Sequence, residues 1–146
     1  MGVATKEAKD FLSKPKKLDK LIENKLFEKE HWKNIAIGTT AQMGGERVQT
    51  SGSQQKMADA VTRYVCMEEE INECIDRLVD EKCEVIRVIE QLNTIEYDLL
   101  HKVYIQYLDL AEVADMYGKS YSWATTIHGR ALKNVQNILR NNKVEN

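Results

Sequence analysis

Between Met57 and Leu92 the chain repeats in alternating steps of four and three: Met57, Val61, Tyr64, Glu68, Ile71, Ile75, Leu78, Lys82, Val85, Ile89 and Leu92. An α-helix places positions so spaced on one face, and a sustained repeat of this kind is the a/d seam of a coiled coil. The spacing predicts a helix from about Gln55 to Asn93, about 55 Å long at 1.5 Å per residue. Glu68 and Lys82 occupy the seam at a cost in stability, and polar residues there can fix register or oligomer state. A second amphipathic run, Leu18, Leu21, Ile22, Leu26, Trp32, Ile35 and Ala36, predicts a helix from about Lys16 to Ile37, about 33 Å long. In a hairpin of the two, part of the longer seam stays uncovered. Self-association as a homodimer is the expected cover, ahead of a monomer folded back on its C-terminal domain, with Ile71, Ile75, Leu78, Val85, Ile89 and Leu92 as the oligomerisation seam.

The remaining segments are read from their breakers. Thr5 to Ser13 suggests a short helix stopped ahead of Pro15, because proline disfavours helix at the residue before it. Gly38 to Gln55, with Gly44-Gly45 and Ser51-Gly52-Ser53, lacks apolar periodicity and reads as a long flexible connection, with Arg47 to Ser53 as a possible docking segment within it. Asn93-Thr94 marks a break, with Thr94 as the expected cap of a helix that carries Leu99, Leu100, Val103, Tyr104 and Tyr107. With one Pro and seven Gly in 146 residues, the turns a β-sandwich needs are missing. The expected fold is all-α: residues 1–93 form a helical hairpin or coiled coil with a flexible loop at about 38–55, and residues 94–146 form a helix-turn-helix domain.

Several function classes find no support. No stretch approaches the 18 apolar residues of a membrane span, and the N-terminus lacks the apolar core of a secretory signal, so a cytoplasmic protein without membrane contact is expected. Cys66, Cys74 and Cys83 stand eight and nine apart, which suits neither paired metal ligands nor a disulfide framework. They read as small buried or half-buried apolar side chains. His128 has no second ligand at helical spacing, and His31 and His101 carry no nearby Cys or carboxylate pair that suggests a site, so no metal and no cofactor is expected. Neither a GxSxG, a phosphate-binding glycine loop nor an HExxH motif is present, and no catalytic residues are assigned.

The formal charge of -2 conceals an asymmetry. Cys66 to Leu92 is strongly acidic, whereas Gly118 to Lys143 holds Lys119, Arg130, Lys133, Arg140 and Lys143 and no acid. That basic segment follows a recognisable order. Asp109 caps a short helix with Glu112 three positions on, Gly118 ends it, and Ser120 caps a second helix from Tyr121 to about Leu139. A short helix, a glycine turn and a basic helix make a helix-turn-helix, whose second helix enters the DNA major groove. Tyr121, Ser122, Trp123, Thr125 and Thr126 are the candidate base-reading residues; Lys119, Ser120, Arg130, Lys133 and Arg140 are the candidate phosphate contacts. Tyr121 and Trp123 have an equally good use packing the three-helix core.

Leu110-Ala111-Glu112-Val113-Ala114, Gly118, and Gly129-Arg130-Ala131-Leu132 with Val135 resemble region 4 of the sigma-70-type RNA polymerase sigma factors. Together with Leu18 to Ile22, Arg47 to Ser53 and the acidic long helix, the chain resembles an uncharacterised protein family of Gram-positive phages and prophages. The resemblance implies a regulator arranged like the ArpU- and RinA-like activators of late genes, with double-stranded DNA as partner and host RNA polymerase as a second one. Ala124 and His128 depart from the sigma pattern, which has larger aliphatic residues there, and nothing corresponds to the promoter-melting part of a sigma factor. Two other readings remain: an adaptor that docks on RNA polymerase or another phage protein without touching DNA, and a DNA-packaging recognition subunit. Packaging subunits place the DNA-binding domain first, and here it is last.

Overall fold

A computed structural model describes residues 4–42 and 51–145. Among these the chain is all-α, with helices α1 (Lys6–Gln42), α2 (Ser51–Ile89), α3 (Thr94–Leu100), α4 (Leu110–Tyr117) and α5 (Tyr121–Glu145), and no strand. A π-helical turn, His101–Ile105, continues α3.

The first two helices differ from expectation in a way the buried stripe explains. Residues 6 to 42 form one helix that runs through Pro15, in place of a short helix and a second one. Ala8, Phe11, Leu12, Pro15, Leu18 and Ile22 are all buried and follow one another at three- and four-residue steps, with Phe11 and Leu12 adjacent. A proline in a helix interior costs about 3 kcal/mol, and burial of this continuous face offsets that cost. The expected connection at 38–55 is shorter at both ends, since α1 reaches Gln42 and α2 begins at Ser51; residues 43–50 lie outside the described residues.

The chain divides into two compact units, one of residues 1–17 with 78–146 and one of residues 18–77, a partition that cuts across the boundary expected at residue 93. Within the second unit α1 and α2 run antiparallel. Lys25 pairs with Glu70 at 3.4 Å and Lys29 with Glu68 at 3.2 Å. Lys29 also lies 5.1 Å from the Tyr64 ring, and Arg63 lies 5.8 Å from the Trp32 ring. Leu18, Ile22, Ala60, Met67, Ile71 and Cys74 are buried. Cys66 and Cys83 are exposed, contrary to the expectation for all three thiols, and only Cys74 is a core side chain.

In the first unit Ala8, Phe11 and Leu12 join Val85, Val88 and Ile89 of α2, Leu99 and Leu100 of α3, Val113 and Ala114 of α4, and the inner face of α5 in one core. Asn93, not Thr94, caps α3: its Oδ1 accepts from the Glu96 N–H at 2.9 Å. Tyr107 lies beyond the helix it was expected to join, in the left-handed region at φ 63°. The π-helical turn ends there, with the Gln106 N–H bonded to the His101 carbonyl at 3.0 Å and the Leu108 N–H to that of Lys102 at 2.9 Å. Lys82 lies 5.8 Å from the Tyr107 ring.

Candidate nucleic-acid interface

α4, the turn after it and α5 form as their residues dictate. α4 ends at Gly118, which takes φ 65° and ψ 33°, a left-handed conformation that glycine reaches without strain. The Lys119 N–H closes the end on the Ala114 carbonyl at 2.9 Å, a Schellman arrangement. Ser120 Oγ accepts from the Trp123 N–H at 3.0 Å and so caps α5. Asp109 precedes α4 in extended conformation but makes no side-chain cap.

The register of α5 decides which side chains face outward. Ala124, Ile127, Ala131, Leu132, Val135 and Gln136 are buried against α3 and α4 and the start of α1. Ser122, Thr126, Arg130, Lys133 and Arg140 are exposed, and at 100° per residue they share the opposite face. Tyr121 and Thr125 are exposed near the helix start, Lys119 and Ser120 in the turn. Thr125 and Thr126 donate their hydroxyls to the Tyr121 and Ser122 carbonyls, each at 3.0 Å. Their oxygens therefore face a ligand as acceptors. Trp123 is half-buried with its ring 5.3 Å from that of Tyr117, so it packs the turn.

Behind this face sit polar contacts that fix the helix and that sequence spacing did not reveal. The Gln136 side chain accepts from the Ala8 N–H at 3.0 Å and donates to Glu7 at 3.0 Å. Asn134 donates to the buried Glu96 at 2.8 Å. His128 Nε2 lies 2.7 Å from the Tyr104 hydroxyl with the rings stacked at 5.7 Å. Burial pushes the Tyr104 phenol up to about 12, and burial together with nearby Lys9 lowers the His128 pKa. The pair is therefore a protonated phenol hydrogen-bonded to a neutral imidazole. Asp98 accepts from Lys102 at 2.7 Å and from the Tyr117 hydroxyl. Burial opposes its ionisation, but the two hydrogen bonds outweigh it and hold the carboxyl below its usual value.

The candidate cations are not equivalent. Arg140 lines a groove of about 640 Å³ together with Lys143, Glu7, Asp10 and Glu84, so acids share its field. Glu7 bonds Lys143 as well as Gln136, and these two bonds, more than the nearby Arg140, keep its carboxyl below the usual range. Arg130 lines a smaller groove of about 350 Å³ with Glu96 of α3, and Lys133 is exposed; the stretch of α5 that carries both has no acid of its own.

The residues expected to form an oligomerisation seam are dispersed. Val85 and Ile89 are fully buried in the core of the first unit and Leu92 packs against it, so the chain covers them itself. Ile71 is buried within the second unit, Leu78 is half-buried, and Ile75 remains 42% exposed. Among the described residues no cluster of three His, Cys, Asp or Glu side chains is placed to hold a metal ion, and no helix is long and apolar enough to cross a membrane.

No curated protein and no solved structure matches the chain. A family described as a protein of unknown function, DUF1492, matches residues 39–136, which include α2 to α4 and α5 as far as Gln136. With well over half of its length matched, the chain belongs to the DUF1492 family.

Proposed function

We propose that the chain is a sequence-specific regulator of transcription that binds double-stranded DNA through α5, of phage or prophage origin and with a C-terminal domain like region 4 of sigma factors. The observation that carries this reading is the outer face of α5. It presents Ser122, Thr126, Arg130 and Lys133 to solvent, and no acid occurs between Gly118 and Lys143. A capped helix after a glycine turn, with short polar residues at its start and cations further along, is the arrangement that reads base edges and neutralises phosphates. Thr126 and Ser122 supply discrimination, Arg130, Lys133 and Lys119 affinity. The role is that of an activator of phage genes, working in the bacterial cytoplasm beside the host polymerase.

The test is fluorescence anisotropy with fragments from the gene's own surroundings and with mixed-sequence DNA. Fragment-selective binding that Thr126→Ala makes indiscriminate, without abolishing it, is the expected result. Absence of binding to every fragment contradicts the reading. The adaptor alternative draws on Met116 and Tyr121, large side chains that are 61% and 60% exposed on α4 and at the start of α5. Retention of host RNA polymerase by protein that binds no DNA would establish that alternative.

A further inference from the structure

The face of α2 that the chain leaves open is symmetrical about Glu70. Val61, Val65, Ile75 and Val79 are 49%, 48%, 42% and 54% exposed, and at 100° per residue they fall within a stripe about 80° wide. Val61 and Val79 lie nine residues to either side of Glu70, Val65 and Ile75 five, and between them Glu68 and Asn72 lie two to either side. A stripe with this pattern is complementary to a reversed copy of itself.

We propose that the protein forms a homodimer in which two α2 helices pack antiparallel about a two-fold axis level with Glu70, Val61 of each meeting Val79 of the other and Val65 meeting Ile75. Charge selects this direction. Glu68 and Asn72 lie inside the stripe, whereas Lys56 and Arg63 at the start of α2 face away from it. Antiparallel packing sets Glu68 of each copy on Asn72 of the other; parallel packing sets Glu68 on Glu68. Glu68, the acid within the stripe, is already neutralised within the chain by Lys29. Glu68 is still 47% exposed and accepts from the Asn72 amide of the other copy, which fixes the register. A two-fold axis makes every such contact twice. The inference stands whether or not α5 binds DNA, because its readout is mass.

Sedimentation equilibrium of the full chain tests it, with helicity followed by circular dichroism. Wild type is expected at twice 16.8 kDa, and Val65→Lys and Ile75→Glu each at the monomer mass with unchanged helicity. The variant carrying both substitutions restores the dimer, because antiparallel packing alone sets the introduced lysine of each copy against the introduced glutamate of the other. A wild type that stays monomeric with a dissociation constant weaker than about 1 mM overturns the proposal. So do single variants that remain dimeric, or a double variant that remains monomeric.

Discussion

The side-chain oxygen of Gln136 accepts a hydrogen bond from the backbone N–H of Ala8 at 3.0 Å, joining two residues 128 positions apart. Both are buried, Gln136 at 2% exposure and Ala8 at 0%. The bond ties the first turn of α1 to the middle of α5. Gln136→Ala leaves the Ala8 N–H buried without a partner and removes the donor to Glu7. It is expected to cost about 1–3 kcal/mol, measured by urea unfolding. A loss below a few tenths of a kcal/mol would show that water replaces the bond.

His128 makes stability depend on pH. Its pKa is lowered in the folded chain by burial and by Lys9, from an ordinary value of 6.5, so folding favours the neutral ring. The contribution is fully present above pH 6.5 and is lost as the pH falls below it, because the unfolded chain then binds the proton more readily. Protonation also leaves Nε2 able only to donate toward the Tyr104 hydroxyl. His128→Gln keeps an acceptor without a titrating group, so its melting temperature is expected to hold steady from about pH 7 to 5 where that of wild type falls. Asp98 acts separately, with its contribution lost only as the pH falls below its ordinary 3.8.

Gly118 sits at φ 65°, and apart from its own chain neighbours nothing lies within 4 Å of the position a Cβ would take. The cost of Gly118→Ala is therefore backbone strain alone, about 1–2 kcal/mol. A thermal melt that shows no change would mean the turn relaxes to another conformation.

Ile89 belongs to the repeat that opens the coiled-coil reading, yet it is fully buried in the chain's own core. Ile89→Ala is expected to cost about 2–5 kcal/mol, and the cost should not vary with protein concentration. Dependence on concentration would place the residue in an interface between copies.

The same comparison shows what periodicity can tell. Gly118 and Ser120 were legible as helix stop and helix start because each acts through its own backbone within a few residues. The all-α fold was legible for the same reason, in spacing. The partner of a helical face was not: Val85 and Ile89 at a/d positions show only that they are buried, and α3, α5 and the first turns of α1 do that here. Pro15 was read by its local propensity, although Ala8, Phe11, Leu12, Leu18 and Ile22 carry one stripe past it. Asn93 lost to Thr94 as the expected cap because both residue types cap helices and a one-residue shift leaves the pattern unchanged. Gln136 is a polar residue on an apolar face, and nothing in sequence spacing pairs it with Ala8.

If α5 meets the phosphates and base edges of a duplex as proposed, its affinity must fall as salt rises. With Lys119, Arg130 and Lys133 on phosphates, the slope of log K against log salt is expected to be about -3 per chain. The variant carrying Arg130→Ala and Lys133→Ala together should bind more weakly and lower the magnitude of that slope by about 2. A wild-type slope near zero, or a slope that the double substitution leaves unchanged, would contradict the account.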